Sequence, residues 1–163
     1  MALTKEKKQE VEKKVKEIAD HSQSLVFVNF HALTVSESQE LRVKLRDQGV
    51  GYYVAKKTLI KRALVDKGFE GQLPDLEGEC ALAYGDDLIA PAREVFRFHK
   101  TNPEHLSILG GVFDGRYFNK KEMEDVATIP SREVLIGQFV NLINSPIQQL
   151  VTGLDRIAEK KTA

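Results

Sequence analysis

The sequence has a single cysteine, Cys80, among its 163 residues, and it has no tryptophan. One cysteine excludes an internal disulfide and every all-cysteine metal site, which fits a reducing, cytoplasmic setting. No apolar run approaches the roughly 18 residues needed to span a membrane, so no membrane segment is expected. The stretch from Met1 to Lys16 is rich in lysine and glutamate and lacks the apolar centre of a signal peptide.

The chain also lacks a net charge, since 24 Lys and Arg residues balance 24 Asp and Glu residues. That balance argues at first against a nucleic-acid partner, but the charges are unevenly distributed. Residues 1–62 carry 13 basic and 8 acidic side chains, a net charge of +5, which leaves −5 for residues 63–163. This asymmetry indicates either one basic, RNA-facing region or chance variation, and the charges alone leave both open.

Motifs for catalysis, metal binding and nucleotide binding are missing from the sequence. The histidines have no metal-ligand spacing, and neither GxxxxGK[ST] nor GxGxxG occurs. Gly110-Gly111 followed by Gly115 fits a strand entering a hairpin better than a phosphate loop. The pair Asp86-Asp87 is more typical of a helix cap than of a catalytic centre. We therefore predict that the protein is not an enzyme and has no cofactor, no metal and no small-molecule substrate.

Helical and strand patterns alternate through residue 128. Capping-box patterns at Thr34 and Asn119 and a hairpin turn at Asp114-Gly115 mark several boundaries. The predicted helices cover 4–21, 34–48, 57–67, 86–100 and 119–128, and the predicted strands cover 25–30, 50–55, 80–84, 106–113 and 116–118. The alternation predicts an α/β fold class, with residues 1–130 forming a single sandwich domain whose mixed sheet is flanked by helices.

Residues 131–163 are expected to form one long C-terminal helix, kinked at Pro146 because proline removes a backbone donor and clashes with the preceding turn. Apolar residues recur in alternating steps of four and three, as in a heptad seam. The helix either folds back on the domain as core or docks a partner helix, and a seam of about three heptads favours the partner. The kink separates two apolar platforms, whose predicted partner-binding residues are Leu135, Ile136, Phe139, Val140 and Ile143, then Ile147, Leu150, Val151, Leu154 and Ile157.

An acid-free window extends from Gln48 to Val65 and contains four basic residues, Lys56, Lys57, Lys61 and Arg62. On a helix, Lys57 and Lys61 lie one turn apart, away from the apolar face. Thr58 and the first amides of that helix are placed to meet a phosphate. The window is therefore either an RNA-contacting surface or an ordinary solvated helix face.

Several stretches together resemble the bacterial ribosomal protein L ten family. The most specific are the block Lys56-Lys-Thr-Leu-Ile-Lys-Arg-Ala-Leu64 and the helix start Pro130-Ser-Arg-Glu133. Supporting matches are Met1–Lys8, Leu33–Val35, Leu41–Arg46 and Gly110–Gly115. The sequence departs from the family at Lys57, where asparagine is usual, and at His31-Ala32, where Arg-Gly is frequent.

The resemblance implies a structural protein of the large ribosomal subunit, cytoplasmic and ribosome-bound, that forms the base of the ribosomal stalk. Its N-terminal domain would bind large-subunit rRNA near ribosomal protein L eleven. Its C-terminal helix would anchor dimers of ribosomal protein L seven/twelve, two of them from the two platforms, and these dimers recruit translational GTPase factors. Members of the family can also repress translation of their own message.

With the acid-free window, the resemblance assigns RNA contact to Lys5, Lys8, Lys56, Lys57, Thr58, Lys61 and Arg62. Two alternatives come from other functional classes. One is a small α/β enzyme or ligand-binding domain that oligomerises through its C-terminal helix, and the other is a coiled-coil adaptor with no RNA role. The first would need a convergent polar cleft, and the basic block argues against the second.

Overall fold

A computed structural model describes the backbone of residues 5–162, and the side chains of that range except at 5, 147, 155, 156 and 158–162. The chain divides between Ile129 and Pro130 into two compact units. The elements of the first unit are α1 Lys5–His21, β1 Ser24–Phe30, α2 Val35–Asp47, β2 Gly51–Val54, α3 Lys57–Val65, β3 Cys80–Gly85, α4 Ala90–Thr101, β4 Leu106–Phe113, β5 Arg116–Asn119 and α5 Lys120–Ala127. The second unit contains α6, Arg132–Thr162.

The five strands form one sheet in the order β2-β3-β1-β4-β5. The α/β fold class is confirmed, but the predicted mixed sheet is corrected, because each pairing between these strands is antiparallel. Strands β1 and β2 do run parallel to each other, yet β3 lies between them, and β1 likewise separates β3 from β4. The crossovers through α2 and α4 are therefore split β-α-β units, in which an antiparallel strand fills each gap.

Local hydrogen bonds explain where several helices begin. The Thr34 amide donates to Glu37 Oε2 at 2.9 Å, and the Glu37 amide donates to Thr34 Oγ1 at 3.3 Å, which completes the predicted capping box. The hydrogen bonds that the Thr34 amide and hydroxyl donate to the Glu37 carboxylate lower the pKa of Glu37. The second predicted capping box, Asn119 with Glu122, is also present. Helix α4 begins later than predicted, since Asp87 accepts a hydrogen bond from the Ile89 amide ahead of the helix and Pro91 stands in the first turn.

The sheet separates two apolar cores. One core packs α2, α4 and α5 on one face of the sheet, around the side chains of Leu41, Val95 and Met123. The other packs α1 and α3 on the opposite face, around Val15 and Ile60. Four consecutive residues of β1, 25–28, are at most 2% exposed, so this central strand is covered on both faces. The first unit therefore has a complete core of its own.

Strand β4 needs glycine where it passes β1. A Cβ built on Gly111 would lie 2.3 Å from the backbone oxygen of Leu25 and 2.2 Å from Met123 Cε. The pairing with β1 also shifts register between Phe27 and Val28, a β-bulge. The strand then reaches the predicted hairpin turn, where Asp114 and Gly115 both have positive φ, 50° and 78°, as a type I′ turn requires.

We expect Gly111→Ala to lower the free energy of unfolding by about 3 kcal/mol, the upper end of the usual overpacking range, because a backbone atom blocks the new methyl group. Gly137→Ala in α6 is the matched control, since its Cβ would meet nothing within 4 Å. Alanine should favour that helix by up to about 1 kcal/mol. Urea denaturation of both variants measures the difference. An unchanged midpoint for Gly111→Ala would contradict the close approach of β4 to β1.

Candidate functional site

Helix α3 presents a basic face to solvent. Its apolar residues Ile60, Ala63 and Leu64 are buried in the core shared with α1, and Leu59 is also buried. Their burial directs the rest of the helix outward. Of the predicted RNA-contacting residues in this block, Lys61 is half-buried, and the exposed ones are Lys56, Lys57, Thr58 and Arg62.

Ion pairs engage neighbouring lysines but leave this basic face available. Lys16 of α1 pairs with Asp66, and Lys67 pairs with Asp20, so both pairs join the C-terminal parts of α1 and α3. The hydrogen bond that Lys16 donates to the Asp66 carboxylate is the main cause that raises the pKa of Lys16. Among the described side chains, no ion pair involves the four basic residues of the block. Positive charge is therefore concentrated along α3, from Lys56 to Arg62.

The first helix contributes to the predicted RNA surface less completely. Lys8 is exposed on α1, as a phosphate contact requires. The side chain of Lys5 lies outside the described residues. Helix α1 packs on α3 through the core that contains Val15, so both helices belong to the same layer of the domain.

A cavity of about 420 Å³ opens beside the basic block, and we call it the strand-end cavity. It lies where β1 and β2 end and β3 begins, since Asn29 pairs with Cys80 and Val54 with Ala81. Its lining residues are Phe30, Val54, Ala55, Lys56, Lys57, Gly78, Glu79 and Cys80. Sequence reasoning missed this cavity, because its walls come from three segments far apart in the chain and no local pattern marks them.

Burial raises the pKa of the Cys80 thiol to about 11, and the positive charge of Lys57 partly offsets that effect. The thiol is therefore neutral at physiological pH and acts as a buried apolar group rather than as a nucleophile. Lys57 also lines this cavity.

The tyrosines that precede the basic block are structural. In the fold each packs against a different core: Tyr52 against that of α2 and α4, Tyr53 against that of α1 and α3. Arg42 lies 5.9 Å above the centre of the Tyr52 ring. Burial raises the pKa of Tyr52 to about 12.

The described residues contain no group of three or more His, Cys, Asp and Glu side chains that could hold a metal ion. The ring of His105 contacts the carbonyl of His31 at 3.2 Å, and the ring of His99 contacts the carbonyl of Leu106. The first contact joins the loop before β4 to the residue that follows β1, and the second joins α4 to the start of β4. None of the helices in the described part of the chain is long and apolar enough to cross a membrane.

Helix α6 continues through Pro146, and the helix is bent. Of its ten predicted partner-binding side chains, nine are described and all nine are exposed, Leu135 least at 39% and Leu150 most at 65%. The side chain of Ile147 lies outside the described residues. No charged residue occurs from Val134 to Leu154. The polar face of this stretch carries amides and hydroxyls, as in the hydrogen bond from Gln149 to Ser145 at 3.3 Å.

Comparison with known proteins identifies the family. The family model described as ribosomal protein L10 matches residues 3–100, and the model for the C-terminal region of ribosomal protein uL10 matches residues 129–163. The large ribosomal subunit protein uL10 of Shouchella clausii strain KSM-K16 is 38% identical over 162 residues, which is 99% of this chain and 97% of that protein. The uL10 protein of Albidiferax ferrireducens is 36% identical over 100% of this chain and 91% of its own length. The uL10 protein of Alkaliphilus metalliredigens is 35% identical over 99% of this chain and 98% of its own length.

These matches cover the basic block and the exposed helix alike. They confirm the resemblance found in the sequence, and they leave the alternative of a small α/β enzyme without support. The chain therefore belongs to the ribosomal protein L10 (uL10) family, whose members are structural, non-enzymatic proteins of the large ribosomal subunit.

Proposed function

We propose that this protein forms the base of the ribosomal stalk, with one unit holding rRNA and the other holding the stalk proteins. The first unit binds large-subunit rRNA near ribosomal protein L eleven. Helix α6 anchors two dimers of ribosomal protein L seven/twelve, which recruit translational GTPase factors. The site of action is the cytoplasmic ribosome.

The observation that carries the proposal is the exposed apolar face of α6. Its nine described partner-binding residues are exposed by 39% to 65%. Burying half of each side chain would yield on the order of 10 kcal/mol before the entropic cost of association. A helix with such a face needs a partner surface, and helical partners bury it by laying their own apolar stripes against it.

Pro146 supports the number of two partner dimers. It divides the apolar face into residues 134–145 and 147–158, and each part supplies several large apolar side chains. Each part is about three turns long, which suits one helical partner dimer. Because Val134 to Leu154 carries no charge, partner binding should persist at high salt.

RNA binding is supported by the basic face of α3 and by the exposed Lys8. Lysine and arginine on such a surface contact phosphates and recognise the shape of the RNA more than its base edges. Affinity should therefore fall as salt rises. The same surface would allow binding of a similar RNA structure in the protein's own message, and hence self-repression.

Deleting residues 131–163 tests whether residues 1–130 bind rRNA by themselves and whether residues 131–163 bind the L seven/twelve dimers. The shortened chain should melt cooperatively, because both apolar cores lie within the first unit. It should retain affinity for an rRNA fragment in filter binding and lose the L seven/twelve dimers in native mass spectrometry. The full-length chain is the control. Loss of the cooperative transition would mean that α6 belongs to the core, and full-length chain without dimers would contradict the stalk role.

A further inference from the structure

The strand-end cavity has a composition that phosphate contacts alone do not require. Its volume, about 420 Å³, falls in the range of small-ligand sites. Its lining includes the half-buried Phe30 and the aliphatic Val54 and Ala55. Lys56 and Lys57 also line this cavity. A lysine pair that met only the RNA backbone would need no such apolar recess.

We propose that the strand-end cavity receives one unpaired base of the bound RNA, stacked on Phe30, while Lys56 and Lys57 hold the adjoining phosphates. The inference rests on the proposed rRNA binding and specifies its chemistry. Proteins that read RNA by sequence commonly take unstacked bases from loops and bulges onto aromatic rings, and cations hold the backbone beside them. Phe30 and the two lysines provide both components within one cavity.

The remaining walls suit a base better than a charged small molecule. Cys80, which also lines the cavity, is neutral, since its pKa is raised by burial, and Gly78 adds no side chain. Glu79 is exposed and also lines the cavity, where a carboxylate can accept a hydrogen bond from an amino group. Adenine, guanine and cytosine can donate to it from an amino group, and uracil can donate from its ring N3–H.

The variant Phe30→Leu removes the aromatic ring and keeps an apolar side chain of similar size. It should weaken binding of an rRNA fragment by about 5- to 20-fold, within the range that stacking one base supplies. The slope of log affinity against log salt should stay unchanged, since no charge is altered. Phe113→Leu is the matched control, because Phe113 is also a half-buried strand residue packed against the same core. Phe113 does not line this cavity, so the affinity of Phe113→Leu for the rRNA fragment should match that of the unmodified chain.

Abasic scanning of the rRNA fragment then tests whether one base is the occupant. Each unpaired base of the RNA is removed in turn. At one position the removal should weaken binding to the full-length chain by a factor similar to that expected for Phe30→Leu. At that position the loss should disappear in Phe30→Leu, since the two changes remove the same contact. Thermal melts of both variants establish that they are folded.

The outcomes separate this inference from the proposed function. If the unmodified chain shows no salt-dependent rRNA binding, the proposed function itself fails. If it binds but Phe30→Leu and Phe113→Leu have equal affinity for the RNA, no base occupies the cavity. The same conclusion follows if removing each base lowers the affinity of the unmodified chain and of Phe30→Leu by the same factor. Loss of affinity in Phe30→Leu with a flatter salt slope would also overturn the inference, because it would mean displaced lysines rather than lost stacking.

Discussion

Reversing the charges of Lys57 and Arg62 with glutamate should weaken binding to large-subunit rRNA by about 100-fold at low salt. Both side chains are exposed on α3, whereas Lys61 is half-buried and a poorer choice. Losing two phosphate contacts should also flatten the slope of log affinity against log salt by about 1.5. Filter binding across a salt series measures both quantities in one experiment.

The control for that variant changes the same charge elsewhere. Lys120 and Lys121 are exposed at the start of α5, whose buried residues belong to the core on the other face of the sheet. Replacing both with glutamate should lower the affinity by less than about 3-fold, through long-range electrostatics only. Equal losses in the two double variants would mean that net charge, rather than the α3 surface, governs RNA binding.

Introducing a charge into the second apolar platform should remove one of two partner dimers completely. Leu154 is 58% exposed in α6, and Leu154→Asp would bury an unpaired carboxylate in the proposed interface. Such burial costs several kcal/mol, enough to abolish binding at micromolar concentrations. Native mass spectrometry of the chain co-expressed with L seven/twelve should change from a five-chain to a three-chain complex.

Two further variants make this experiment specific. Thr152→Asp introduces the same charge on the polar side of the helix and should leave both dimers bound, since Thr152 lies outside the apolar platforms. Ile143→Asp, before Pro146, should remove the other dimer. Loss of both dimers in either apolar variant would contradict two independent platforms, and three dimers on the unmodified chain would contradict their number.

The sequence predicted local structure well where side chains act on their own backbone. The capping boxes at Thr34 and Asn119 and the turn at Asp114-Gly115 depend on residues within four positions, so their patterns sufficed. The start of α4 was less clear, because Asp86-Asp87 and Pro91 supplied competing boundary signals.

Features that depend on distant segments could not be predicted in the same way. The sheet is antiparallel because β3 inserts between β1 and β2, and no periodicity within a strand specifies its neighbours. The strand-end cavity likewise needs Phe30, Val54 and Cys80 to converge. Of the predicted RNA surface, the window around Lys57 could be recognised from the sequence, but the half-burial of Lys61 depends on how α3 sits on its core. The RNA and partner roles of these residues stay predictions.

The position of β1 at the centre of the sheet has a consequence for synthesis of the chain. Both of its neighbours are translated later, β3 up to Gly85 and β4 up to Phe113. At ordinary elongation rates the apolar segment 25–28 therefore waits unpaired for on the order of ten seconds, a period in which chaperones would need to shield it. Helix α6 leaves the exit tunnel only afterwards. The nascent protein should thus complete its sheet before it offers an apolar helix to any other chain.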